Sequence, residues 1–379
     1  MRVDFIYGTR PELIKMAMPI KAFQAAPGLT VRVISTGQHR EMLNVMEKWF
    51  DITPDVNLEV MQSNQTLASL SARILERLDE FYVREGPPEI VIVQGDTTSA
   101  MMAGFVGFYH KSKVAHVEAG LRTHNKYSPW PEEMNRVVLS RLADFHFAPT
   151  KVNQANLLKE GVAGEAILVT GNTVIDALHY SMQRVNTEGI YPPELQNLYQ
   201  GAQAESRVVL ITGHRRENFG RGFESICLAI KELARLFPDV YFIYPVHLNP
   251  RVQEPVREIL NVEQVPNVKL ISPQGYPQFI SLMQRCYLVL TDSGGVQEEA
   301  PGLGKPVLVM RDNTERPEAI ETGIVKLVGA GQGRIVKEVT LLLTDSSAYE
   351  RMAHAANPYG DGHASEMMLQ KIKSLEGQV

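Results

Sequence analysis

Three acids and a set of cations in this 379-residue chain stand where chemistry could use them. Asp96 lies in QGDTTS, Glu118 in HVEAGLR and Glu132 in YSPWPEEMNR. Each follows an apolar run or opens the next helical pattern. Carboxylates drawn from separate segments suit general acid/base work on one substrate. Of opposite sign are Arg10 and Lys15 in GTRPELIK, and His214, Arg215 and Arg216 in ITGHRREN. A further segment, TDSGGVQEE, places Ser293, Gly294 and Gly295 between an apolar run and a helical pattern. Glycines let a ligand approach the backbone, and N–H groups at a helix start favour an anion. Glu299 follows about a turn later, where a carboxylate suits ribose hydroxyls. Together these residues fit a diphosphate gripped by Arg10, Lys15, His214 and the SGG turn, with the three acids around an attached sugar.

Each of these residues also has a plainer reading. Asp96, before two threonines, suits a helix N-cap, and so does Ser293. Pro131 suits a first helical position, which puts Glu132 and Glu133 in the first turn, where acids complement the macrodipole. Glu132 and Arg136 have the spacing of a surface ion pair worth about 0.3 kcal/mol. Glu133 is expected to do no more than cap the helix. His214 fits a packed or solvated histidine. Arg10 and Lys15 fit surface cations, although cations are poorly placed at a positive helix end. The common nucleotide motifs are missing. No GxGxxG follows the first apolar run, GLGKPV lacks the Walker A pattern, and GxSxG is absent. The two cysteines, Cys227 and Cys286, form no CxxC, so neither a metal site nor a redox pair is expected.

These residues are set in a regular alternation. The runs 3–8, 30–36, 89–96, 113–120, 144–150 and 166–171 are expected strands, with helical patterns between them. LASLSARILERLDEF carries apolar residues at 67, 70, 74, 78 and 81, a helical stripe. In the helix after Pro131, Met134, Val137, Val138 and Leu142 form the expected buried face. The rhythm restarts with runs at 207–213, 240–246, 268–273, 287–293, 306–312 and 324–329. Continuous apolar strands between helices indicate parallel sheets covered on both faces. Two doubly wound, Rossmann-like α/β domains are therefore expected, facing a cleft. The first spans 1–170 and the second 171–359. In such sheets ligands bind outside the carboxyl ends of the strands, which is where the charged segments fall.

The totals narrow the class. A net charge of −5 with no lysine- or arginine-rich run argues against nucleic acid. The longest apolar stretch, AMMAGFVGFY, is far short of a membrane span, and no signal peptide pattern is seen. A cytoplasmic protein is expected.

With its segments assembled, the chain resembles the non-hydrolysing UDP-N-acetylglucosamine 2-epimerases of bacteria. GTRPELIKMA, TGQHREML, GDTTS, HVEAGLRT, YSPWPEEMNR, HFAPT, VTGNTVIDAL, GHRREN, PVHLNP, TDSGGVQEEAP, GKPVLVMRD and TERPEA carry the likeness, in order, from residue 8 to about 320. TDSGGVQEE is shared more loosely with nucleotide-sugar glycosyltransferases of the GT-B fold. The resemblance implies such a fold, with the last helix, 360–379, returning to the first domain. It implies C2 epimerisation of UDP-N-acetylglucosamine to UDP-N-acetylmannosamine, through 2-acetamidoglucal, with no cofactor and no metal. Asp96, Glu118 and Glu132 would be the catalytic acids, supported by Arg136 and His214. Arg10, Lys15, Ser293, Gly294, Gly295, Glu299 and Arg316 would hold UDP, with Gln274 and Phe279 flanking the uracil. Gln38, Arg73, Arg215 and His247 match positions where bacterial members bind a second UDP-N-acetylglucosamine as activator. Glu41 stands where some members carry glutamine. A homodimer is implied, serving cell-surface polysaccharide synthesis. The alternatives are a glycosyltransferase, a hydrolysing epimerase, an epimerase of a modified UDP-2-acetamido sugar, and an inactive nucleotide-sugar sensor.

Overall fold

The structure, a computed structural model, describes residues 1–379 except 39, 63, 202, 261, 262, 315 and 376–379, with the backbone alone at 40–42 and 216. The Glu41 side chain and the end of the C-terminal segment lie outside the described residues. The chain divides into two units, Met1–Ala177 with Tyr359–Val379, and Leu178–Pro358.

The first unit holds seven parallel strands: β1 Arg2–Tyr7, β2 Thr30–Ser35, β3 Val56–Asn57, β4 Ile90–Gln94, β5 Lys113–Val117, β6 Phe145–Ala148 and β7 Ile167–Val169. Their order is β3-β2-β1-β4-β5-β6-β7. All five residues of β4, IVIVQ, are buried, as a strand covered on both faces requires. The helix Leu67–Glu85 buries Leu70, Ile74, Leu78 and Phe81, and leaves Leu67 partly exposed. Burial of each such side chain contributes about 1.5–3 kcal/mol. The two-residue β3 carries too short an apolar run to announce itself in sequence. In the tail, the helix Ala364–Lys373 packs against Arg10–Gln24. The carboxylate of Asp176 accepts the Ser365 N–H at 2.8 Å and anchors this return.

The helix Glu132–Leu142 corrects one expectation. Met134 is exposed, and Val137, Val138 and Leu142 are only partly buried. Glu133, Asn135, Arg136, Leu139 and Ser140 face inward instead. The apolar stripe does not decide the orientation here, because an ion-pair network described below holds the polar face inside.

The second unit holds β8 Val208–Thr212, β9 Tyr241–Pro245, β10 Val268–Ile271, β11 Leu288–Thr291, β12 Val307–Val309 and β13 Val325–Leu327. All are parallel, in the order β10-β9-β8-β11-β12-β13. Both sheets therefore reverse strand order once, at β1/β4 and at β8/β11. Ligands of open α/β sheets bind outside the carboxyl ends at such switch points. At the first, only glycine fits after β1. A Cβ on Gly8 would lie 2.3 Å from Ser99 Oγ and 2.4 Å from Thr36 Oγ1. Among the described residues no helix is long and apolar enough to cross a membrane.

Candidate active site

In the first unit, the ends of β4 and β5 and the start of the helix Glu132–Leu142 carry the three acids. Asp96 is not an N-cap. Thr97 caps the following helix, its side chain accepting the Ala100 N–H at 3.0 Å. The Asp96 carboxylate pairs instead with the Arg136 guanidinium, and Asn135 Nδ2 donates to the Asp96 carbonyl at 2.8 Å. Arg136 therefore makes no surface pair with Glu132. It is buried and its second arm donates to Glu133 at 2.9 Å. Glu133 is also more than a helix-start acid. It is 3% exposed, and its oxygens accept the N–H groups of Thr123 at 3.0 and 3.1 Å and of His124 at 2.9 Å. One buried carboxylate thus ties the loop after β5 to the arginine that aims Asp96.

Glu118 leaves β5 with φ of 62°, in the left-handed region. A residue with a side chain adopts it at a cost of about 1 kcal/mol. Such outliers cluster at functional sites. Its carboxylate is held by Lys15, Gln94 and Asn172, the last at 3.3 Å. Lys15 therefore has a partner within its own unit, which accounts for a cation in the first turns of a helix. Glu132 differs from the other two acids. Its Oε2 is buried and meets no hydrogen-bond partner among the described residues. Behind these acids, His116 is fully buried and its Nε2 lies 2.8 Å from the Gly95 carbonyl. Burial pushes its imidazole down to about 3, so the ring is neutral and donates from Nε2.

The switch point itself is spanned by an acid that the motifs did not flag. Glu12 is 1% exposed. Its carboxylate accepts Gly8 N–H at 3.0 Å and Thr9 N–H at 2.7 Å, both after β1, and Thr97 Oγ1–H at 2.6 Å, after β4. The signal was present as a capping box, Thr9 with Glu12 three residues later. Burial pushes this carboxyl up to about 7, against donors that favour the anion. A folded-state value above the unfolded one means that the native state keeps a proton the unfolded chain loses. The resulting stability is fully present below about pH 4.5 and is lost as pH rises through about 7. Relative to Glu12→Gln, the wild-type first unit should therefore lose up to about 3 kcal/mol between these limits. Urea unfolding at several pH values, followed by tryptophan fluorescence, reads this directly, since Trp49 and Trp130 both lie in the first unit. A difference between the two proteins that does not vary with pH would refute it.

In the second unit, His214 follows β8 and Ser293–Gly295 follow β11. The helix after the glycines, Val296–Gly302, is seven residues long and is capped at Gly295, not at Ser293. A Cβ on Gly295 would meet nothing within 4 Å, so the backbone there is open to a ligand. Gln297 fixes the turn by donating to the Ser293 carbonyl at 3.1 Å and accepting from Thr314 Oγ1 at 2.8 Å. Arg316 donates to Glu298 at 2.7 Å, while Glu299 is the less buried of the two acids. Asp292, just before the turn, is fully buried. Its Oδ2 accepts the His214 and Arg215 N–H groups, both at 2.9 Å, and Asn218 Nδ2 at 3.4 Å. Burial lowers the His214 imidazole below its ordinary value; Asp292 opposes this, and His247 and Arg215 add to it.

The remaining expected residues are scattered over both units. Gln274 donates to the Ser272 carbonyl at 2.7 Å, and Phe279 is half-buried in the helix Tyr276–Arg285. Gln38 accepts from Ser99 Oγ at 2.9 Å. Arg73 donates to the carbonyls of Val60 at 3.0 Å and Ser69 at 3.4 Å. His247 stacks on His214, with centroids 5.2 Å apart and planes at 15°. The structure therefore joins a residue expected at the activator position to one expected at the substrate position. Arg10 opens its helix directly after the Thr9 cap.

The sequence profile of the family described as UDP-N-acetylglucosamine 2-epimerase matches residues 21–373. The chain belongs to this family. It is 50% identical over 374 residues to the UDP-N-acetylglucosamine 2-epimerase of Yersinia pestis, covering 99% of each chain. Identity to the enzyme of that name from Escherichia coli K12 is also 50%, with the same coverage. The crystal structure of UDP-GlcNAc 2-epimerase from Neisseria meningitidis, bound to UDP-GlcNAc, superposes with a TM-score of 0.88 at 45% identity, covering 99% of this chain and 100% of that one. As an epimerase-family chain it carries the two parallel α/β units of the GT-B-like fold. Arg10, Asp96, Glu118, Glu132 and Arg136 fall in the first unit, and His214, Ser293–Gly295, Glu299 and Arg316 in the second. From buried positions Glu12 holds the Gly8–Thr9 turn before Arg10, Glu133 holds Arg136, and Asp292 holds the backbone of His214 and Arg215.

Proposed function

We propose that this chain interconverts UDP-N-acetylglucosamine and UDP-N-acetylmannosamine, as an isomerase. End-to-end identity of 50% to UDP-N-acetylglucosamine 2-epimerases carries this reading. Its chemistry accounts for the residues. The C2–H of the sugar has no neighbouring carbonyl to acidify it, and an ordinary carboxylate is too weak a base to remove that proton unaided. Departure of UDP from C1 supplies the activation. The C1–O electron pair leaves with UDP, a carboxylate takes the C2 proton, and a C1–C2 double bond forms, giving 2-acetamidoglucal. UDP then adds back at C1 while another acid delivers a proton to the opposite face of C2. Inversion needs proton carriers on both faces, a requirement that Asp96, Glu118 and Glu132 meet from three separate segments. Arg10, Lys15, His214, Ser293, Gly294, Gly295, Glu299 and Arg316 hold UDP, the cations and N–H groups among them offsetting the charge of the leaving diphosphate, with Lys15 taking part only by leaving Glu118. Gln274 and Phe279 flank the uracil. Preorganised donors of this kind contribute roughly 3 kcal/mol each.

A second UDP-N-acetylglucosamine beside Gln38, Arg73, Arg215 and His247 is the matching proposal for activation. The His214–His247 stack supports it, because a ligand that moves one ring moves the other. Arg73 takes part only by releasing the carbonyls it now holds. A homodimer is proposed on resemblance alone.

The test is a proton NMR time course of purified protein with UDP-N-acetylglucosamine as the sole substrate. The expected result is the intact UDP-linked C2 epimer, with deuterium at C2 in heavy water. Release of free N-acetylmannosamine, or reaction only when a sugar acceptor is added, would overturn the reading.

A further inference from the structure

The second switch point holds a buried charge with half of its capacity unused. Asp292 Oδ2 is saturated by His214 N–H, Arg215 N–H and Asn218 Nδ2. Its Oδ1 is buried and has no hydrogen-bond partner among the described residues. Leaving a buried carboxylate oxygen unpaired is costly. The His214 ring stands beside it, with Nδ1 3.8 Å away, just beyond bonding distance. His214 is well placed to move. Its side chain is 42% exposed while that of Asp292 is 0%, and the His247 ring stacks on one of its faces. The charged groups that face it are Asp292 after β11, His247 after β9 and Arg215 on its own loop. Asp292 is the only anion of the three. Both backbone groups that fix the loop, His214 N–H and Arg215 N–H, bind this same carboxylate, so ring and loop are registered to one point.

We propose that Asp292 is a positioning residue for His214: Oδ1 accepts the Nδ1–H hydrogen bond, and the opposite ring nitrogen, Nε2–H, is thereby aimed at the departing diphosphate as a cationic donor. This rests on the epimerase reading above. With Nδ1–H committed to the aspartate, Nε2 can donate only if the ring carries both protons. With the diphosphate bound on the other side of the ring as a second anion, Asp292 thus selects the imidazolium, the form that offsets charge growing on the leaving group. No proton changes hands within the pair. The C1–O electrons settle on UDP, facing a positive ring. A neutral ring would still hydrogen-bond but would not supply the charge.

Asp292→Asn separates these roles. The amide oxygen still accepts the His214 and Arg215 N–H groups, while the amide N–H₂ turned to the ring favours the neutral Nε2–H tautomer. The expected result is a fall in kcat of about 10²- to 10³-fold, with a much smaller change in UDP affinity. In the complex with UDP, the His214 titration followed by NMR of ¹⁵N-histidine-labelled protein should move down by about one pH unit or more. Unchanged kcat, or equal losses in kcat and UDP affinity, would overturn the proposal, the latter because it marks uniform binding. Should Asp292→Asn not fold, wild type with UDP decides. A ring carrying both protons at pH 7, with Nδ1–H hydrogen-bonded, supports the proposal, and a neutral ring overturns it. If wild type binds UDP but does not epimerise, it is the reaction assignment that has failed.

Discussion

Glu132→Gln is expected to lower turnover by about 10²- to 10⁴-fold and to suppress deuterium uptake at C2, while UDP affinity stays near that of wild type. The reason lies in how differently the three acids are held. Asp96 is paired with Arg136. Glu118 is caged by Lys15, Gln94 and Asn172. A proton placed on either disrupts an ion pair that the fold has built. Glu132 Oε2 is buried with no partner among the described residues, so a proton taken up there breaks no existing bond. A carboxylate that alternates between accepting and releasing a proton does so at least cost with this freedom, whereas the proton carrier on the opposite face, Asp96 or Glu118, gives up part of its ion pair when it is protonated. The glutamine variant preserves volume and shape and removes only the basic oxygen. The measurement is the C2–H exchange rate in heavy water by NMR, with UDP affinity by calorimetry. An exchange rate within about threefold of wild type, a factor worth less than 1 kcal/mol, would remove Glu132 from proton transfer.

Much of this arrangement is legible in the sequence. Parallel strands buried on both faces have to be apolar throughout, so their runs stand out, and the charged segments beyond them mark the carboxyl ends. Strand order is not legible, because neighbouring strands in a sheet are chosen by long-range packing. The switch points at β1/β4 and β8/β11 therefore emerge only in three dimensions. The supporting residues fail to stand out for a related reason. Glu133 beside Glu132, and Asp292 before the SGG turn, have the composition of ordinary helix-start acids. What distinguishes them is burial with specific partners contributed by loops 10 and 78 residues away. The helix Glu132–Leu142 shows the same principle in reverse. Its apolar positions suggest one inward face, but enclosing Arg136 between two carboxylates turns another face inward. Both switch points show one device. Glu12 in the first unit and Asp292 in the second are buried carboxylates that accept N–H groups from the loop after the central strand. Each holds the chain where it leaves the sheet toward the site.

Arg136→Met should be the most destabilising single change among the site residues. The arginine is buried between Asp96 and Glu133, and Glu133 is itself buried. Methionine fills much of the stem volume but leaves two carboxylates facing each other with no cation. Removing one partner of a buried ion pair costs about 3–5 kcal/mol, chiefly because the charge left behind is uncompensated. Glu133 keeps the Thr123 and His124 N–H bonds, and Asp96 remains partly open to solvent, so a value at the lower end is expected. Urea unfolding followed by tryptophan fluorescence reports the first unit alone, through Trp49 and Trp130. The double variant Arg136→Met/Glu133→Gln should recover about 1–3 kcal/mol of it, the range of coupling between groups in contact. Recovery would mean that the single-variant loss is electrostatic. If the double variant is no more stable than Arg136→Met, the guanidinium acts by packing alone and Glu133 does not hold it. Turnover should stay low in both variants whatever their stability, because Asp96 loses the group that aims it. Stability restored without activity would therefore separate the arginine's part in the fold from its part in the site.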